Sequence, residues 1–282
     1  MVLRREPTAR QLRLGIELRR LREAAGLTAV EAAALLGANR VQMSHIETGL
    51  AGVSEQRLRR LASHYACTDE EFIDALVAMA TDRTRGWWEE YRGVLPTPFL
   101  DLSELDHHAR FQRNAGFLFV PGLLQTAEYA RAAYSTRVPE LAEEQIELRV
   151  RHRIARRVII ERTSPVPFDA VIHEAALRIM VSDRAAARAQ LTHILEQSEA
   201  NHISVRVIPF DLEFSTGSSP MTYVGGGVPR LDTVIRDAPH GALYVDSEAE
   251  LATYQARFEK TKAMSLERER SRDFIHRLAK EL

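Results

Sequence analysis

Two glycines, Gly26 and Gly37, divide the start of the chain into short segments, and the segments that follow them carry their own helix-start signals. The spacing predicts a helix over 10–25. Leu14, Leu18, Leu21 and Ala25 recur at helical intervals, with Leu12 and Ile16 on the flank and an Arg/Glu outer face. Gly26 stands where a left-handed residue ends such a helix. Thr28 and Glu31 form a capping box, T-A-V-E, opening a second helix through Ala32, Ala33 and Leu35 to Leu36. Gly37 closes it, and Asn39 caps a third short helix, RVQMSHIE, ending near Thr48–Gly49. Ser54 caps a fourth, with Leu58, Leu61 and Tyr65 on one face. Thr68 with Glu71 is expected to cap a fifth, carrying Phe72, Leu76 and Met79. Segments punctuated this closely exclude a long helix, and the expectation is a compact all-α domain of five helices over residues 1–80.

The pattern then changes twice. Residues 81–100 hold Trp87, Trp88 and Tyr91 at helical spacing before Pro96 and Pro98. They are expected to form an ordered aromatic connector with its rings docked on the C-terminal domain. Helix is expected to resume over 101–115, to begin again near Thr126 after the Pro121-Gly122 turn, and to run as one long Arg-rich helix over 140–162. Its arginines are expected to pair with the glutamates of 140–147 and of nearby helices, binding of nucleic acid or an acidic partner being the other reading. Beyond Pro165 the periodicity becomes that of strands: 168–174, 203–210, 221–224, 231–235 and 243–245, separated by Gly/Pro turns. Helices are expected at 183–199, from Ser247 to about 261, and at 265–281. The fold class expected is multidomain, the helical domain being followed over 101–282 by an α+β domain with a small mixed sheet of about five strands.

The 282 residues are near the upper end for one core, which agrees with two domains. No run approaches 18 apolar residues, so no transmembrane helix and no membrane partner are expected. The start, MVLRREPTARQLR, lacks the apolar core of a signal peptide, and a cytoplasmic location is expected. A single cysteine, Cys67, excludes an internal disulfide framework and any Cys-rich zinc site. His173-Glu174 opens HEAAL, but Leu177 stands where a zinc helix needs its second His, so no metal is expected. Gly225-Gly226-Gly227 precedes no helix and reads as a turn rather than a phosphate loop. No convergent catalytic constellation is found, so neither an enzyme nor a cofactor is expected. The net charge of −1 is uneven: residues 1–66 hold 11 arginines against six glutamates and no aspartate. A basic module on an acidic body is one footprint of nucleic-acid binding.

The stretch LRRLREAAGLTAVEAAALLGANRVQMSHIETGLAGVSEQRLRRLA resembles the helix-turn-helix domains of the lambda-repressor/Cro type, the XRE family. The resemblance implies that the third helix enters the major groove by its N-terminal end. Arg40 then offers a bidentate fork to guanine, Gln42 pairs with adenine, and Val41 touches a thymine methyl. Ser44 and His45, one turn on, reach a base or a phosphate. Asn39 is placed for a phosphate, and Thr28, Arg19, Arg22, Arg57 and Arg60 are the further backbone anchors. Second helices in this family commonly begin Thr-Gln. Ala29 replaces that glutamine here, which removes one anchor. A single motif covers half a site, so a homodimer on a palindromic double-stranded DNA operator is implied.

Further along, WWEEY, VPGLLQTAEYARAAY, the Arg-rich helix, IHEAALR, QLTHILE and VRVIPF resemble the C-terminal domain of actinobacterial WhiJ-like regulators. The resemblance implies a transcription regulator whose C-terminal domain senses a small-molecule effector or binds a small partner protein. One departure is Arg236 in TVIRD, where the family carries an acidic residue. Gln125, Thr126 and Tyr129, polar groups beside the apolar stripe of Leu123, Leu124, Ala127 and Ala130, are candidates to line a pocket, with Pro209, Phe210 and Tyr223 as its opposite wall. Plain core packing is the other reading of that segment. The alternative function is an antitoxin-like switch controlled by a small neighbouring gene product, with autoregulatory DNA binding.

Overall fold

The structure, a computed structural model, describes residues 6–212, 219–238 and 241–282. Residues 1–5, which entered the charge reading, and residues 213–218 and 239–240 lie outside the described residues. The chain divides into two compact units, one comprising 1–89 and 99–105, the other 90–98 and 106–282.

The first unit is built on α1 (Ala9–Ala24), α2 (Ala29–Leu35), α3 (Arg40–Glu47), α4 (Glu55–His64) and α5 (Glu70–Thr81). Of the four N-caps expected, three are in place: Thr28, Asn39 and Ser54. Thr28 and Glu31 close the expected capping box on α2, and Thr8 with Gln11 makes another on α1. The fifth helix differs: Asp69, not Thr68, accepts from the Phe72 N–H, because the helix begins one residue later. Gly26 and Gly37 both take positive φ, as left-handed helix ends require. Leu18, Ala32, Met43, Leu58, Leu61, Phe72 and Leu76 form the centre, each almost fully buried.

A short 3-10 turn, Trp87–Tyr91, carries the aromatic cluster. Trp88 is buried and Trp87 half-buried, and both group with the first unit. Tyr91 groups with the second, edge-on to His152 with ring centroids 5.0 Å apart. The next helix, α6 (Thr97–His108), is shorter than expected. Residues 112–116 leave it to become β1 (Gln112–Gly116), a strand where helix was expected. Its sequence, QRNAG, has neither β-branched residues nor alternation, and it is a strand because it is paired on both sides.

The second unit continues with α7 (Ala127–Ser135), α8 (Glu143–Ala155), α9 (Val158–Glu161), β2 (Phe168–His173), α10 (Glu174–Arg178), α11 (Arg184–Gln197), β3 (Ile203–Ile208), β4 (Met221–Val224), β5 (Thr233–Ala238), β6 (Gly241–Val245), α12 (Glu248–Ala263) and α13 (Arg268–Glu281). The sheet is mixed and has six strands among the described residues, in the order β3-β2-β1-β4-β5-β6. The strand beyond the expected five is β1. It pairs parallel with β2, Ala115 opposite Val171, and antiparallel with β4, Arg113 opposite Tyr223. The expected long helix over 140–162 is broken at Arg156-Arg157 into α8 and α9.

One sheet face buries Ala115, Val171, Tyr223 and Val234 against Leu251, Tyr254 and Phe258 of α12. A second cluster joins Ala130 and Tyr134 of α7 to Ile146 and Val150 of α8. The β3 edge is closed by main chain and hydroxyl: the Leu266 N–H donates to Val207 O and the Val207 N–H to Ser271 Oγ. Covering an edge in this way removes it as a template for another strand.

Candidate functional site

The third helix separates its residues by face. Met43 and Ile46 are buried, while Asn39, Arg40, Val41, Gln42 and Ser44 are exposed and His45 is half-buried. Val41, a β-branched apolar residue, is 61% exposed, the disposition that a methyl contact in a groove needs. Arg40 has no ion-pair or hydrogen-bond partner among the described residues. The α3 N-terminus is held in shape by a third capping box: Asn39 Oδ1 accepts from the Gln42 N–H at 2.9 Å, and the Asn39 N–H donates to Gln42 Oε1 at 3.1 Å. Asn39 and Gln42 therefore begin as partners of each other. The N-x-x-Q spacing that signals this was present in the sequence beside the T-x-x-E box. For Gln42 to read adenine with both amide atoms, its carbonyl must first leave the Asn39 N–H.

Two features hold α3 on α1. Gly15 lies so close to the end of α3 that an added Cβ would stand 2.5 Å from Glu47 O. Two helical turns further on, Arg22 reaches Glu47 with two bonds, Nε to Oε1 at 2.6 Å and Nη2 to Oε2 at 3.0 Å, and Nη1 donates to Leu27 O. Both partners are buried. The hydrogen bond to Glu47 holds the Arg22 guanidinium above its ordinary pKa. Arg22 is therefore an internal strut and not a phosphate anchor, a correction to the sequence expectation. Arg19 is exposed but paired with Glu23 at 2.7 Å, and Arg59 is held by Glu55 and Asp74. Arg57 and Arg60 are exposed and, like Arg40, have no side-chain partner among the described residues. These three remain available to a polyanion. Thr28 is exposed, with its hydroxyl committed to the α2 cap.

In the second unit the segment after Pro121 is tied down from several sides. Gln125 is buried: its Nε2 donates to Val120 O and its Oε1 accepts from Arg153 Nη1. Arg157 Nη2 donates to the Gln125 main-chain oxygen. The Thr126 N–H donates to Gln190 Oε1 at 2.8 Å, and Gln190 Nε2 donates to Leu124 O at 2.6 Å. Tyr129 is buried, its hydroxyl accepting from the Val120 N–H, and burial pushes its phenol pKa up. Arg153 of α8 and Arg157, just before α9, thus bind an amide and a carbonyl oxygen here, not the glutamates of 140–147 as expected. Arg156, paired with Asp106 at 2.7 Å, finds its carboxylate outside that segment.

A helix-turn-helix domain model matches residues 13–74. A model described as a domain of unknown function (DUF5753) matches residues 99–277, well over half of the chain. The chain belongs to the DUF5753 family. No curated protein and no solved structure matches it. The N-terminal unit is accordingly a helix-turn-helix domain, with the DUF5753 domain following it.

Within the DUF5753 domain the candidate pocket residues do not converge. Tyr223 points to the α12 face, stacked on Phe111, and its hydroxyl meets Asp232 Oδ2 at 2.9 Å. Phe210 follows β3, 62% exposed, with its ring 5.2 Å from that of His173 and its N–H donating to Glu174. Tyr223 packs with α12, and neither it nor Phe210 lines the cleft beside Tyr129. A cleft lined by Tyr129, Ala176, Leu177, Ile179, Gln190 and Leu191 offers about 10 Å³, the room of one water. His173 ends β2 and caps α10 through Nδ1, as a strand-end residue. Among the described residues no three His, Cys, Asp or Glu side chains are grouped to hold a metal, and no helix is long and apolar enough to cross a membrane.

Proposed function

We propose that this chain is a sequence-specific transcription regulator of the XRE, WhiJ-like kind, acting in the cytoplasm of an actinobacterium. It binds a palindromic operator as a homodimer, and its DUF5753 domain receives an effector or partner protein. No catalytic step is assigned to it. The observation that carries the reading is the N-terminal face of α3: Arg40, Val41 and Ser44 stand exposed on a helix fixed to α1 by a backbone approach and a buried ion pair. A rigid helix with a free guanidinium and an exposed methyl pair is what base-edge reading requires. Arg57 and Arg60 supply phosphate contacts, which carry no sequence information but set affinity and its salt dependence.

Selection from randomised duplexes with the full-length protein tests this. Two half-sites about 10 base pairs apart, centre to centre, are expected. Arg40→Ala should then cost about 1–3 kcal/mol at one base position of each half-site and little on scrambled DNA. Enrichment of no sequence would sink the reading. An equal loss on every duplex would make Arg40 a phosphate contact, and a single asymmetric site would remove the dimer.

A further inference from the structure

The junction of α8 and α9 holds two cations without an ion-pair partner among the described residues; Asp237 attracts Arg153 and Glu161 attracts Arg157 only from a distance. Of its three clustered arginines, Arg156 is neutralised by Asp106. Arg153 and Arg157 make no ion pair among the described residues, and both turn instead to the oxygens of Gln125. Each keeps a buried Nε–H with no acceptor, and so does the neighbouring ring of His193, whose Nε2 is buried and unpartnered. Burial, with Arg157 alongside, lowers the His193 pKa to about 4, so its ring is neutral near pH 7. Arg153 lies over the Tyr134 ring at 4.5 Å, which supports a cation without cancelling its charge. All three residues are half-buried, with the unpaired nitrogens themselves on the inner side.

Two guanidiniums that lose water and gain carbonyls and a tyrosine in place of an ion pair are a net cost to the folded chain. Such an arrangement is maintained at sites that await a counter-charge, and its charge defines the ligand. Two uncompensated cations match a dianion. Guanidinium forks match tetrahedral oxyanions that offer several acceptors at once. A phosphate monoester has both properties near neutral pH. The supporting frame is already rigid, since Gln190 fixes the same segment from α11.

We propose that Arg153 and Arg157, with His193 beside them, bind the phosphate group of a phosphorylated small molecule, the effector of this regulator. The inference rests on reading the DUF5753 domain as effector-binding, and its test involves no DNA, so either can fail while the other stands.

Full-length protein is titrated with inorganic phosphate in a calorimeter, ionic strength being held with chloride. One saturable site per chain is expected, weakened at least about tenfold by Arg153→Met or Arg157→Met. The melting temperature in phosphate-free buffer gives a second readout. Arg157→Met should match or exceed the wild type there, because it removes an uncompensated cation, and it should lose the rise that phosphate gives the wild type. Three results would overturn the proposal: no saturation at millimolar phosphate, wild-type affinity in both variants, or an Arg157→Met protein that melts several degrees lower without phosphate. The last would show that the bond to the Gln125 carbonyl is the arginine's whole purpose.

Discussion

Replacing Glu47 by alanine tests how the recognition helix is held. In the wild type, Glu47 accepts two bonds from Arg22, and the two side chains are 7% and 9% exposed. Removing the carboxylate leaves a buried guanidinium with Leu27 O and, 3.5 Å from Nη2, the exposed Glu23 carboxylate as its remaining partners. Breaking a buried pair from one side costs about 3–5 kcal/mol. A small domain has a total stability of roughly 5–10 kcal/mol, so the first unit would lose about half of it. With a urea slope of about 1–1.5 kcal/mol per molar, the midpoint should fall by about 2–4 M. The chain offers a selective probe, since its two tryptophans, Trp87 and Trp88, both belong to the first unit. Urea unfolding followed by tryptophan fluorescence therefore reports this unit alone. The double variant Arg22→Met/Glu47→Leu, which replaces the pair by apolar side chains, should recover most of the loss. A midpoint within about 0.5 M of wild type for Glu47→Ala would refute the argument, because it corresponds to the value of a solvent-screened surface pair.

Other expectations concern both units. Gly15→Ala gains about 1 kcal/mol of helix propensity but drives a methyl to 2.5 Å from Glu47 O, so a net loss of about 1–3 kcal/mol is expected in the same fluorescence assay. Tyr129→Ala should destabilise the second unit by about 3–5 kcal/mol in calorimetry, whereas Tyr129→Phe, which orphans the Val120 N–H, should cost about 1–3 kcal/mol; a loss under 1 kcal/mol for Ala would restore Tyr129 as a cleft-wall residue. The folded-state pKa of His193, about 4, lies below the ordinary 6.5, so the unfolded chain binds its proton first. The associated stability is present above pH 6.5 and is lost as pH falls toward 4. Urea midpoints at pH 7 and pH 5 should therefore differ more in the wild type than in His193→Gln, and equal differences would contradict the assignment.

The parts legible in the sequence were those governed by local rules. The first five helices and the outward face of α3 follow from caps, left-handed glycines and a 3.6-residue period, all of which act within a few residues. Arg22 was misread as a DNA anchor because its partner is 25 residues away, and nothing near Arg22 distinguishes a strut from a solvated cation. The strand β1 escaped for a related reason. QRNAG has no pattern of its own, and pairing with residues around 168–172 and 221–224 makes it a strand. The break between α8 and α9 carries no proline or glycine, so the redirection of Arg156 toward Asp106 and of Arg157 toward Gln125 could not be foreseen. Gln125 and Tyr129 were rightly singled out as unusual polar groups. Their partners, on α8 and in the preceding loop, show that their hydrogen-bonding capacity is spent internally.

The central position of β1 also governs the order in which the chain can mature on a ribosome. Asn114, in β1, hydrogen-bonds Thr222, which is 108 residues later in synthesis. Until β4 has left the exit tunnel, one side of β1 is an open row of amide and carbonyl groups, held only by β2. The α1–α3 strut needs no such wait. A nascent chain therefore presents a finished helix-turn-helix domain well before its DUF5753 sheet closes, and long-range pairings of this kind are the slow and exposed steps of folding. During that interval the emerging regulator carries its reading head without the domain proposed to govern it. Translation that stalls between β1 and β4 would release a fragment bearing the DNA-reading helix and an unfinished sheet edge.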